Sequence, residues 1–210
     1  MADTIQLRPI KTATIEVRIV GTSPLITHRF DEKAKRMMRE KHAGKKTKNR
    51  EVRVPEAEAK AAAYKLTDGS DGIPATGIKN AMASAAHKDL GIPKTVLRRG
   101  LFIMADDTPP GEHPLVRIDS DEPEMREDVV RVGMGSTDLR YRPEYRNWSI
   151  SLRIEYDEDW LTPDTILSLL ERAGFGVGLC EWRPERDGDF GRFCVDREGV
   201  VVTTREEAAA

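Results

Sequence analysis

The sequence predicts an α+β fold, and three observations predict it. Strict apolar/polar alternation over residues 14–19 and 148–156 marks strands with one buried face. Apolar residues at helical spacing over about 74–89 and 163–173 mark two helices. The two kinds of element follow one another along the chain, separated by Gly and Pro. The 210 residues, 39% of them hydrophobic, suffice for a sizeable core, and we expect a single domain over 1–210.

The first strand, 14–19, is broken by Gly21, Thr22, Ser23 and Pro24. Residues 31–42 favour helix in composition, although only Ala34, Met37 and Met38 are apolar, and 44–49 read as a mobile loop. Pro55 suits a first helical turn, so 56–66 is expected to be a short Ala-rich helix ahead of the turn cluster 67–72. Pro74 opens a longer helix with Ile78, Met82 and Ala85 on its buried face, and Gly91 and Pro93 end it. Residues 96–104 read as a strand, with Arg98 and Arg99 presenting one guanidinium on each face. Residues 115–118 are the strand-like piece of an acidic stretch. After the strand 148–156, Thr162 is an N-cap, Pro163 sits at N1, Leu161 and Ile166 form a staple, and Gly174 is the expected C-cap. Residues 190–196 are the expected last strand, paired with 200–202, and 206–210 read as a frayed end.

Two charged insertions interrupt this series. From His28 to Arg53 eleven Lys and Arg face four acids, and from Asp106 to Asp128 nine acids face two arginines. The formal net charge of -2 therefore hides two opposite local fields, and partners must be inferred by segment. Without the insertions the order is strand, helix, strand, strand, helix, strand, a ferredoxin-like (RRM-like) β-α-β-β-α-β core. Insertion 27–73 is basic, helical and finger-like; insertion 105–146 is acidic, then Arg/Tyr-rich, and thumb-like. Function is expected in these elaborations.

Chemistry by motif is sparse. The two cysteines cannot build a disulfide framework, no Cys or His pair has zinc-ligand spacing, and neither metal nor cofactor is expected. No apolar run reaches the roughly 20 residues of a membrane span. The glycines at 174, 176 and 178 follow a helix and lack the spacing of a dinucleotide loop. Segment 178–193 interleaves Trp182, Arg183, Arg192 and Phe193 in a glycine-permissive hairpin, a composition that suits single-stranded nucleic acid; the same residues also fit a core aromatic pair with local salt bridges. Arg131, Arg140, Tyr141, Arg142, Tyr145, Arg146 and Trp148 repeat the mixture, and a hairpin salt-bridged to Asp138 and Glu144 accounts for them equally. Arg29 and Lys33 in the basic insertion, with Arg98 and Arg99, complete the candidate phosphate contacts. His28 or His42, beside lysines, is the one candidate general base, for cleavage through a ribose 2′-hydroxyl.

Taken together these residues resemble a known family. The core with its two insertions, and the run from Gly176 and Gly178 through Trp182, Arg183 and Pro184 to Phe190, Gly191, Arg192 and Phe193, are similar to the repeat-associated RNA-binding (RAMP) superfamily, within it the backbone subunit of CRISPR effector complexes. Gly21 to Ile26 followed by Pro74, Ala75 and Lys79 is similar to small phage and prophage proteins associated with that fold. The resemblance implies a subunit that polymerises head to tail along RNA or single-stranded DNA, in the cytoplasm of a bacterial or phage-infected cell. It implies Lys45, Lys46 and Lys48 as finger contacts, and Gly176, Gly178, Arg183 and Arg192 as part of a glycine-rich surface. Three functions stay open: a non-enzymatic single-strand binder that self-assembles, a metal-independent endoribonuclease, and a protein-interaction subunit whose acidic stretch imitates nucleic acid.

Overall fold

In the computed structural model, which describes residues 10–30, 32–44, 52–133 and 135–204, the alternation of the first strand is expressed as burial. β1 (Thr12–Gly21) buries Ala13, Ile15, Val17 and Ile19 and leaves Glu16 and Arg18 exposed. β2 (Leu25–Ile26), α1 (Glu32–His42) and α2 (Pro55–Ala61) follow. A short hairpin of β3 (Tyr64–Lys65) and β4 (Asp71–Pro74) comes next. α3 (Ala75–Leu90) begins directly after Pro74 and ends on Gly91 in the left-handed region. Its alanines at 81, 83, 85 and 86 are all buried, which lets the helix lie close to its neighbours. Then come α4 (Lys94–Gly100), β5 (Leu101–Ile103), β6 (Leu115–Arg117), β7 (Asp119–Ser120), β8 (Glu124–Val132), β9 (Ser136–Tyr145), β10 (Trp148–Asp157), α5 (Pro163–Gly176) and β11 (Phe193–Thr204).

The main sheet has the order β11-β1-β10-β5 with every neighbouring pair antiparallel, and β7 extends β10. Ile15 lies opposite Ile154 and Val17 opposite Leu152, so the inward rows of β1 and β10 coincide. Ile78 and Met82 of α3 and Ile166, Leu169 and Leu170 of α5 join these rows in one core. α5 is capped as its sequence requires: Thr165 N–H donates to the Thr162 hydroxyl at 3.2 Å. Two smaller antiparallel sheets, β2-β9-β8 and β3-β4-β6, are built from the insertions together with β2, which precedes the first of them.

Four sequence expectations need correction. Residues 96–104 are not one strand: α4 occupies 94–100 and only three residues of β5 are extended. Pro93 starts a turn of helix there, and Leu97 alone needs burial, so a helix satisfies the segment. Arg98 and Arg99 consequently sit side by side on an exposed helix. The helix after Pro55 stops at Ala61, because Tyr64 and Lys65 are drawn into pairing with Gly72 and Asp71 across the turn cluster. The final strand does not fold back on itself. β11 pairs with β1 over 193–196 and again over 201–204, and the extra residues 197–200, with Gly199 at φ 85°, bulge out where the register shifts between Glu16 and Arg18. Gly174 is not a cap but an interior residue of α5, where the backbone of Phe193 crosses so closely that a Cβ would come 2.1 Å from its carbonyl oxygen. Lys45, Lys46 and Lys48 and residues 206–210 lie outside the described residues.

This contact is a test of the packing. Gly174→Ala should cost about 2–3 kcal/mol by forcing α5 and β11 apart. That corresponds to a fall in Tm of roughly 5–10 °C for a domain of this size. Gly176→Ala, with nothing within 4 Å of the added carbon, should instead raise Tm by about 3 °C or less. Thermal unfolding of both variants checks the pair.

Candidate nucleic-acid interface

The segment after α5 is not a hairpin but a tightly folded loop around one 3-10 turn, Pro184–Arg186. Leu179 N–H donates to the Gly191 carbonyl (2.9 Å), Phe190 N–H to that of Trp182 (3.0 Å), and Gly191 N–H to that of Pro24 (2.7 Å). The glycines permit these approaches. A Cβ at Gly188 would lie 1.8 Å from the Trp182 oxygen, and one at Gly191 2.0 Å from that of Leu179. Three non-glycine residues, Cys180, Trp182 and Asp187, take φ of 60°, 51° and 60°, a conformation in which a bulky side chain is strained. The loop spends that strain on presenting Trp182, which is 41% exposed. At the end of α5, Phe175 is 74% exposed, and the Arg192 guanidinium stands 5.2 Å from its ring centre. Arg183 donates to the Cys180 carbonyl (3.0 Å) and pairs with Glu185 (3.3 Å).

Beside this loop, between it and the first turns of α3, lies a cleft of about 260 Å³ whose lining includes His28, Tyr64, Asn80, Gly178, Glu181 and Arg183. Burial holds His28 below its usual pKa; Glu181, whose Oε1 is 4.0 Å from Nδ1, pulls the other way, and Arg142 and Arg140 oppose protonation. Burial also pushes the Cys180 thiol up to about 12, so it is no nucleophile at neutral pH.

The arginines of the β8–β9 hairpin are largely committed inside the protein. Arg142 is 2% exposed, with its guanidinium held by Asp128 (2.6 Å) and Glu181 (3.2 Å). Arg126 pairs with Glu144 (2.7 Å) and Asp128 (2.9 Å) and lies 4.7 Å over the Phe190 ring. Arg146 pairs with Glu124 and Glu144, and Arg140 with Asp138. Asp138 also accepts from Arg53, which sits 5.6 Å from the centre of the Tyr141 ring. From Glu124 to Arg146 five carboxylates face five guanidiniums. Counting acids only to residue 128 missed this, because the compensating charges arrive on the return strand. Arg142 thus offers no surface to a ligand, and of the cluster only Arg131 is exposed with no ion pair among the described residues. In the basic insertion Arg29 is bonded to Glu112. Lys33 lies on α1 with its side chain outside the described set, and His42 is exposed at the end of that helix.

Three cations without an ion pair among the described residues gather at another edge. Arg98 donates to the Asn80 side chain (3.1 Å), Arg99 lies 5.5 Å from the centre of the Trp160 ring, and Lys79 Nζ is 3.9 Å from that of Phe102. None of the three has an ion pair among the described residues, and burial, with the Arg98 charge adding to it, lowers the pKa of Lys79. Trp160 is 50% and Phe102 53% exposed. Asn80 also lines the cleft, so the edge formed by α3, α4 and β5 is continuous with it. Sequence reasoning missed Phe102, Trp160 and Phe175 as site residues: the first lies in an apolar run, the second follows three acids, and the third is flanked by glycines that drew attention to themselves. The open face of the main sheet, in contrast, sets Glu16 opposite Arg153 and Arg18 opposite Ser151, and the aromatics of β10, Trp148 and Tyr156, are buried on the other face and cannot stack a base.

No protein-family model matches this chain, and no curated protein sequence matches it. Among the described residues no three His, Cys, Asp or Glu come together as a metal site, and no helix is long and apolar enough to cross a membrane.

Three outcomes follow from these charges. Arg142→Ala, which removes a buried side chain and its bonds to Asp128 and Glu181 while Asp128 keeps Arg126 and Glu181 stays half-exposed, should destabilise the fold by about 1.5–3 kcal/mol in urea titrations. Arg146→Ala, at an exposed pair, should cost no more than about 1 kcal/mol. His28 binds its proton less well folded than unfolded, so its contribution to stability is complete above the unfolded pKa of 6.5 and is lost as pH falls toward the lower folded value. Stability curves between pH 7 and 5 should therefore fall less steeply for His28→Gln than for wild type.

Proposed function

We propose that the protein binds single-stranded nucleic acid, RNA or DNA, without cleaving it, along a track from the α3–α4–β5 edge past the cleft to the glycine-rich loop. The observation that carries this reading is the set of cations lying over exposed aromatic rings with no carboxylate partner among the described residues: Lys79 on Phe102, Arg99 on Trp160 and Arg192 on Phe175. Each pair places a flat apolar face beside a positive charge, the two things one nucleotide of a single strand presents partners for. Trp182 adds a fourth platform and Arg98 a further phosphate contact. A duplex, with its bases already stacked, gains nothing from the rings.

The core is, in this reading, ferredoxin-like. The order β11-β1-β10-β5, with α3 between β1 and β5 and α5 between β10 and β11, supports two interleaved split β-α-β units. A relation to the RAMP superfamily rests on that order together with the glycine-rich loop. Head-to-tail assembly through oppositely charged insertions loses Glu124 and Asp128, which are matched by arginines of the same hairpin. The reading of the acidic stretch as a nucleic-acid mimic loses the same two carboxylates and keeps Asp107, Asp119, Asp121 and Glu122, which have no ion pair among the described residues. The ribonuclease reading keeps one supporting observation, His28 held toward its neutral, base-competent form beside Glu181. Labelled RNA left intact in EDTA by wild type would end it.

Fluorescence anisotropy with labelled oligo(dT) and oligo(U) tests the main proposal. With Lys79, Arg98, Arg99 and Arg192 on phosphates, log K should fall with log[salt] at a slope of about -3. Arg99→Ala should weaken binding to every sequence and reduce that slope by about 0.7. Trp182→Ala should cost about 1–3 kcal/mol, roughly 5- to 150-fold in Kd. Binding that is indifferent to salt and to both substitutions would refute the proposal.

A further inference from the structure

The β8 strand leaves an edge open. Among the described residues it pairs only with β9, and the hairpin projects nine residues whose other edge has no partner, a template for another strand. The direction of the backbone groups can be read from β9. Its Leu139 carbonyl accepts from Arg53 Nη2 (2.7 Å) and its Pro143 carbonyl from Thr27 N–H (3.4 Å), both on the side away from β8, whereas Ser136 Oγ reaches the Val132 carbonyl across the turn. Odd-numbered residues of β9 thus turn their backbone groups away from β8. Since Val129 lies opposite Leu139, Glu127 opposite Tyr141 and Arg131 opposite Thr137, the N–H and C=O groups of Glu127, Val129 and Arg131 face the open edge.

The side chains of these three residues share one face and are all exposed. Val129 is 66% exposed, and its cross-strand neighbour Leu139 is 37% exposed. Arg131 has no ion pair among the described residues. Such a stripe, negative at one end, apolar in the middle and positive at the other, is complementary to itself when reversed.

We propose that this edge pairs with the same edge of a second copy of the chain, antiparallel about a two-fold axis through Val129. In that register Val129 meets Val129 of the second copy, flanked by the two Leu139 side chains. Glu127 meets Arg131 of the second copy, and by symmetry Arg131 meets its Glu127, so that one contact closes two ion pairs. A slip of two residues loses both ion pairs while keeping the backbone bonds, so the charges select the register. On the opposite face Asp128 and Arg126 are already paired with each other and with Arg142 and Glu144, so no bare charge is set against the valines there. The contact is two-fold and closed, and it does not depend on nucleic acid.

Sedimentation equilibrium of the full chain without nucleic acid tests it. Wild type should show a concentration-dependent dimer. Glu127→Arg, which sets arginine against arginine twice, should weaken association at least tenfold, and Glu127→Arg combined with Arg131→Glu should restore it, with circular dichroism showing all three folded alike. In a Cys194→Ser background Val129→Cys should form an intermolecular disulfide on oxidation, since directly opposed Cα atoms lie about 5.5 Å apart. Val132→Cys should not, because its two copies would be about 20 Å apart. A monomer at every concentration, a dimer equally stable in the single and double charge variants, or cross-linking at 132 as readily as at 129 overturns the proposal.

Discussion

The pairing of one buried guanidinium organises the part of the molecule around the cleft. Arg142 is enclosed on β9, and a charge so placed cannot stand unpaired, because its desolvation exceeds what any single exposed contact returns. Its partners come from two places: Asp128 on the other strand of the hairpin, and Glu181 in the glycine-rich loop. Satisfying it therefore fixes the hairpin against the loop. Glu181 is held in turn where it faces His28 across the cleft. The loop can accept this position only because Gly178, Gly188 and Gly191 leave room for backbone to pass backbone.

That constraint sorts the protein's many charges into two kinds. Those of the hairpin, Glu127 and Arg131 apart, are spent on each other and on Arg53 and Glu181, and the hairpin's local field is close to neutral despite its density of charge. Lys79, Arg98 and Arg99 of the α3–α4–β5 edge, and Arg192, have no ion pair among the described residues, and all but Arg98 lie over aromatic rings. Segment counts of charge cannot make this distinction, since they do not know which acid a given arginine will meet. Cation–π contacts at exposed rings contribute little to folding, so surface tryptophan and phenylalanine in such contacts are more readily explained by a ligand than by stability.

Much of the scaffold was legible in the sequence because its signals are local. The period-two runs of β1 and β10, the Thr162–Pro163 start of α5 and the Gly91 stop of α3 each depend on residues within a turn or two of one another, and each is where the pattern puts it. What failed depended on distant partners. Tyr64 leaves its helical context to pair across a turn, Gly174 looks like a helix end until Phe193 is known to cross it, and residues 96–100 carry an apolar pattern too short to separate strand from helix. For the candidate site, Trp182, Arg98, Arg99 and Arg192 were visible as residue types. Arg142 was visible too, but its burial was not, and the rings of Phe102, Trp160 and Phe175 acquire meaning only once Lys79, Arg99 and Arg192 are seen above them.

The central claim is that the leftover cations over exposed rings, and not the paired arginines of the hairpin, meet the nucleic acid. Photo-cross-linking with a 5-bromouracil-substituted single strand, followed by mass spectrometry of the adducts, tests it most directly. Adducts at Phe102, Trp160, Phe175 and Trp182 are the predicted result. Adducts confined to Tyr141 and its neighbours on β8 and β9, with those four rings unmodified, would contradict it.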